Sequence, residues 1–253
     1  MLNHIYLIPH GDEIVDMEKA EDRIMHESIA KSTKDDRSEI IVVISPHGLI
    51  LDNNVGVVYT RYLKSYYRTK NRILRRNYEN DITLADSICK SERCERVRYT
   101  TLSGNTFFNL DFGTVIPLTF FKVKKIVSIG QPRLLPREYV MKFADHLYDV
   151  IDSTDEGISI IISADQAHTH SSEGPYGYSE EAGVYDRMVK NAINTSDFSD
   201  IIELKDDFIN KAKPDSFYNM IILDRLLKKS GKKMKSEYYY VAKYFGMLFA
   251  HDI

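Results

Sequence analysis

Ile40-Ile41-Val42-Val43-Ile44 runs without a break into Ser45-Pro46-His47-Gly48. Consecutive β-branched residues favour an extended backbone, and with no polar position on either face the strand must be covered on both sides. Its last apolar residue is followed at once by a polar turn carrying a histidine. The same pattern occurs twice more. Ile5-Tyr6-Leu7-Ile8 ends in Pro9-His10-Gly11-Asp12, and the apolar run at 157–162 ends in Ser163-Ala164-Asp165-Gln166-Ala167-His168.

Between these runs lie segments of helical character. Residues 17–34 are charged, with apolar positions at Ile24, Ile29 and Ala30, and residues 138–152 place Val140, Phe143, Ala144, Leu147, Val150 and Ile151 at helical spacing. Further helices are expected at 82–90, 180–192 and 214–229. Further strands are expected at 55–59, 97–102, 125–129 and 237–243. Strands alternating with helices predict an α/β fold: a single layered domain over 1–253, with a central, mostly buried sheet flanked by helices. Gly231-Lys232-Lys233 reads as a charged turn inside that domain.

Composition narrows the function. The chain has 253 residues and a formal net charge of −3, so nothing in its overall charge attracts nucleic acid or acidic membranes. The basic, aromatic segment at 64–76 is expected to be a solvated face and not a nucleic-acid groove. No apolar run reaches the length of a membrane span, and Met1-Leu2-Asn3-His4 lacks the layout of a signal peptide. A cytoplasmic protein is the expectation. Cys89 and Cys94, the only cysteines, are expected to be free thiols.

The chemistry points to His10, His47 and His168. In layered α/β sheets functional groups gather where strands end and loops converge, and each of these residues follows a buried strand. Neutral imidazoles are ligands for zinc and iron, and two histidines with one carboxylate leave coordination positions open. The candidate carboxylates are Asp12, Glu13, Asp165, Glu203 and Asp215, and spacing alone does not choose among them. His4, His26, His146 and His251 have no motif around them and are expected on the surface or in packing.

Four motifs occur in order: Pro9-His10-Gly11-Asp12, Ser45-Pro46-His47-Gly48, Leu110-Asp111-Phe112-Gly113-Thr114-Val115-Ile116-Pro117-Leu118 and Ser163-Ala164-Asp165-Gln166-Ala167-His168. Together, over about residues 5–229, the chain resembles the class III extradiol ring-cleavage dioxygenases, typified by the LigB-like catalytic subunit of protocatechuate 4,5-dioxygenase. The resemblance implies Fe(II) held by His10, His47 and a carboxylate matched here by Asp215, with Zn(II) as the alternative metal. It implies His168 as acid–base catalyst and a small catechol-like aromatic substrate with O2, as in aromatic compound catabolism. A homo-oligomer is the default expectation. Family members commonly carry histidine where Phe112 stands, so a hydrophobic pocket wall is expected there. His170 and Tyr176 are expected to line the substrate pocket. The alternative is a metal-binding, Memo-like protein without ring-opening activity, or a zinc hydrolase on the same scaffold.

Overall fold

The computed structural model describes residues 1–99 and 106–253. In chain order the strands are β1 (Leu2–Ile8), β2 (Ile40–Ser45), β3 (Val55–Val58), β4 (Tyr62–Arg68), β5 (Ile73–Asn80), β6 (Cys94–Val97) and β7 (Phe107–Asn109). They continue with β8 (Lys125–Gly130), β9 (Ile158–Ser163), β10 (Met234–Ala242) and β11 (Phe245–Asp252). The helices are α1 (Glu13–Asp16), α2 (Ala20–Thr33), α3 (Ile82–Ile88), α4 (Phe112–Leu118) and α5 (Arg137–Asp152). After them come α6 (Glu180–Thr195), α7 (Ser199–Ile202), α8 (Asp206–Ala212) and α9 (Phe217–Ser230).

Among the described residues all the strands join one 11-stranded sheet, ordered β10-β11-β1-β9-β2-β8-β5-β4-β7, with β3 and β6 branching from β8. Its centre is parallel: β1 pairs β9, β9 pairs β2 and β2 pairs β8. β11 lies antiparallel to β1, and β10 antiparallel to β11. The three runs singled out in the sequence are therefore neighbours pointing the same way. Every residue of β2 and β9 is buried.

Burial on both faces follows from alternation. Ile40, Val42, Ile44, Ile158, Ile160 and Ile162 join one core with Val140, Phe143 and Leu147 of α5 and Ile221 and Ile222 of α9. Ile41, Val43, Ile161, Tyr6 and Ile8 join the other, with Met25 and Ile29 of α2 and Val115 and Ile116 of α4. Successive side chains of a strand point to opposite faces, so one apolar strand feeds both layers. The α/β sheet flanked by helices is thus as expected.

Several elements differ from expectation. The basic stretch at 64–76 forms most of the antiparallel β4–β5 hairpin, with Tyr66 and Ile73 exposed. It has no apolar alternation strong enough to mark strands, because polar Ser65 is buried while Tyr66 and Ile73 face solvent. The strand expected at 97–102 is found earlier, at β6, and residues 100–102 lie outside the described residues. β11 was not expected, and its Met247, Leu248, Phe249 and Ala250 are fully buried. Cys89 and Cys94 are free thiols with Sγ atoms 2.7 Å apart. No helix among the described residues is long and apolar enough to cross a membrane.

Candidate metal centre

His10 leaves β1 and His47 leaves β2, with β9 between them. Neighbouring strands are about 4.8 Å apart, so the two imidazoles start two spacings apart and must lean over the end of β9 to meet. Their Nε2 atoms lie 3.0 Å apart. Asp215, in the turn before α9, places Oδ2 3.1 Å from Nε2 of His10 and 3.4 Å from Nε2 of His47. Two donors bound to one ion at about 2.0–2.1 Å and at tetrahedral to octahedral angles are themselves about 2.9–3.4 Å apart. All three edges of the triangle fit that range.

Hydrogen bonding determines which nitrogen of His10 faces the triangle. Ser163 Oγ donates its single proton to the Gly113 carbonyl at 2.5 Å, so at 2.9 Å it must accept from Nδ1–H of His10. Neutral His10 therefore presents a bare lone pair at Nε2, as a ligand must. Burial alone would lower its pKa, but the charges of Asp165 and Asp215 outweigh burial and raise it to about 9. Without an ion, a proton does the ion's electrostatic work. Burial likewise opposes the charge on Asp215, yet His10 and His47 hold its carboxyl well below the usual range. The second oxygen of Asp215, Oδ1, is buried and has no hydrogen-bond partner among the described residues. A donor set of two imidazoles and a carboxylate, one of its oxygens unpaired, fits a divalent cation.

The supporting shell is built from the same strand ends. Gln131, just after β8, donates from Nε2 to the Asp215 carbonyl at 2.6 Å. Ser45, the last residue of β2, donates to Asp111 at 2.5 Å, and Asp111 caps α4 by accepting from the Thr114 amide. That cap fixes the next residue, Phe112, whose ring lies 4.1 Å from the His47 ring at 31° and 5.6 Å from that of Tyr67. Phe112 therefore forms an aromatic wall directly on a ligand candidate.

His168 stands on the other side. Its Nδ1 donates to the Gln166 carbonyl at 2.9 Å, which leaves Nε2 with a free lone pair. Its ring stacks on Phe245 at 5.5 Å and 17°, and Tyr176 and Tyr244 each lie 6.1 Å away. Tyr176 is more than half exposed, at the outer side of this group. His170 points elsewhere: its Nε2 is 2.8 Å from Asp186, which also receives the Tyr239 hydroxyl and the Ala167 amide. Of the residues named from the sequence, His10, His47 and Asp215 come together, His168 and Phe112 flank them, and His170 serves a buried carboxylate. Of the other carboxylates weighed, Asp165 joins the cluster, its Oδ2 3.5 Å from Nε2 of His10. Glu13 instead pairs with Lys243. Gln131, Tyr67 and Phe245 are not among the residues the sequence points to, and Ser163 enters there only as the start of the His168 motif. Gln131 carries a signal of the same kind, since it too follows an apolar strand.

Residues 4–250 match the family model of the catalytic LigB subunit of aromatic ring-opening dioxygenase. The chain belongs to this LigB family. A Clostridium acetobutylicum relative, Protein CA_C1420, is 24% identical over 254 residues, covering 93% of this chain. The match takes up 54% of that relative, so this chain spans about half its length. Among solved structures, the crystal structure of uncharacterized protein JW3007 from Escherichia coli K12 superposes with a TM-score of 0.64 at 14% identity, covering 98% of each chain. That likeness shows the fold. LigB membership gives the dioxygenase-type scaffold on which the triangle of His10, His47 and Asp215 sits.

Proposed function

We propose that this LigB-family protein is a non-haem Fe(II) extradiol dioxygenase that opens a catechol-like aromatic ring with O2. The triangle of His10 Nε2, His47 Nε2 and Asp215 Oδ2, with edges of 3.0, 3.1 and 3.4 Å, carries the reading. Two histidines and one carboxylate on one face match the facial arrangement that suits iron and leaves room for substrate. When bound, the ion supplies the positive charge that acidifies an aromatic hydroxyl and the redox chemistry toward O2.

The chain's own residues do the rest. His168 uses its free Nε2 to take a proton from a substrate hydroxyl and later return it, while Nδ1–H stays on the Gln166 carbonyl and holds the ring in place. Phe112 and Tyr67 give a flat apolar wall against which an aromatic ring can lie. Tyr176, beside His168, bounds the pocket on its outer side.

The test is elemental analysis of the purified protein combined with oxygen uptake on a panel of catechols. Iron near one equivalent, uptake with at least one catechol, and loss of both in His10→Ala and His47→Ala are the expected results. One observation favours a second reading, a metal-binding protein or zinc hydrolase without ring opening. Phe112 stands where a histidine is common and can neither donate nor accept a proton. Zinc with no uptake from any catechol decides for that reading.

A further inference from the structure

A second group of donors adjoins the first. One donor atom from each of Asp165, His168 and Asp215 lies within 4.8 Å of the others, and Asp215 belongs to both groups. Its Oδ2 faces His10 and His47, while its buried Oδ1 has no hydrogen-bond partner among the described residues. The side chain of Asp165 is only 5% exposed. Its Oδ1 accepts from the His10 amide at 3.1 Å, and its Oδ2 lies 3.5 Å from Nε2 of His10, on the side of the cluster. His168 brings the lone pair of Nε2. A neutral imidazole with two carboxylates is a complete set of three protein ligands, and a shared carboxylate can hold two ions about 3.5–4 Å apart.

We propose that this centre has a second divalent-cation position, formed by Asp165, His168 and the Asp215 carboxylate as a bridge, and that filling it silences the protein. The proposal rests on the metal reading above for the first position. The physical consequence is direct. Nε2 of His168 cannot bind an ion and carry a proton at once, so the singly loaded form is the working one. Two carboxylates within one buried cluster also oppose each other's charge. A cation held between them relieves that repulsion.

The test uses the full chain stripped of metal and titrated with Zn(II), followed by calorimetry and native mass spectrometry. Mn(II) is loaded in parallel, and its paramagnetic resonance spectrum reports whether two ions share a bridge. Two equivalents are expected, with spin coupling in the doubly loaded Mn(II) form. Asp165→Asn keeps the shape that accepts the His10 amide, and His168→Gln keeps a polar side chain. Each should retain the first equivalent and lose the second, with an unchanged circular-dichroism spectrum. One equivalent at every concentration, abolished by His10→Ala, overturns the second position and leaves the first standing. Two equivalents that persist in both variants overturn it as well. No binding by the unaltered chain overturns both positions.

Discussion

The pair His10 and His168 shows how one residue type takes two roles through its hydrogen bonds. In each, Nδ1–H is committed to an oxygen, Ser163 Oγ for His10 and the Gln166 carbonyl for His168, and Nε2 is left facing the cluster. His10 lies between two carboxylates and His168 beside an open aromatic face. Replacing His168 with alanine is expected to cut turnover by about 10²–10⁴-fold, the usual worth of a positioned acid–base group, while the first equivalent of metal stays bound. Steady-state rates with metal analysis on the same sample check both halves. His10 makes a separate prediction. Its raised pKa of about 9 means that at neutral pH the metal-free protein holds a proton there. Loading a divalent ion must expel it, so calorimetry at pH 7 in buffers of differing ionisation enthalpy should show release of about one proton. The sign for stability is opposite. A folded pKa above the ordinary value stabilises the metal-free fold below pH about 6.5, and this is lost as pH rises through about 9. Metal-free His10→Gln should lack that alkaline decline in melting temperature.

At the scale of elements, the joint between α4 and β2 decides how the wall meets the ligand. A Cβ added at Gly113 would stand 2.6 Å from Ser45 Oγ and 3.2 Å from Cδ2 of His47. Only glycine lets the first turn of α4 come this close to the end of β2. Gly113→Ala should destabilise the fold by about 1–3 kcal/mol, the common cost of overpacking, and weaken metal binding by pushing His47 off the triangle. Denaturant melts and Zn(II) titration of the variant measure the two effects. Unchanged metal affinity would show that His47 does not depend on this joint. The strands that bear the site were legible for a related reason. The ends of β1, β2 and β9 that lead to the site are buried on both faces, so Ile5–Ile8, Ile40–Ile44 and Ile160–Ile162 are unbroken apolar runs and their ends are sharp. His10, His47 and His168 stand out in the polar turns that follow them. β4 and β5 were not legible, because polar Ser65 and Asn80 sit at buried positions while Tyr66 and Ile73 sit at exposed ones, which breaks the period. β11, and with it the position of Phe245, stayed hidden because Phe245-Gly246-Met247-Leu248-Phe249-Ala250 fits a buried helix as well as a strand. Asp215 could not be chosen by spacing, since what selects it is the long-range contact of α9's entry turn with strands more than 160 residues earlier.

At the scale of the whole molecule, the centre of the sheet is held by both ends of the chain, β11 lying against β1. Asp252 is the fastening. It accepts from the Ile5 amide at 2.9 Å and from Lys232, and it lies 3.4 Å from Nδ1 of His4. Burial works against its charge, yet His4, Lys232 and the Ile5 amide together hold its carboxyl below the ordinary range. His4, hydrogen-bonded to Asp252, is raised in turn. The two signs bound a window. The Asp252 contribution is present above the ordinary carboxylate pKa and disappears as pH falls through the depressed value. The His4 contribution is present below the ordinary imidazole pKa and disappears as pH rises through the raised value. Stability should therefore peak between roughly pH 4 and 6.5 as far as this pair is concerned. Asp252→Asn should flatten the acid side and His4→Gln the alkaline side, in melting temperatures measured from below pH 4 to above pH 6.5 with the metal site empty. Since His10 also adds an alkaline decline, the His4→Gln measurement belongs in a His10→Gln background. A profile unchanged by either substitution would mean that the seam between β1 and β11 is held by its buried apolar residues, and that the ion pair adds nothing to it.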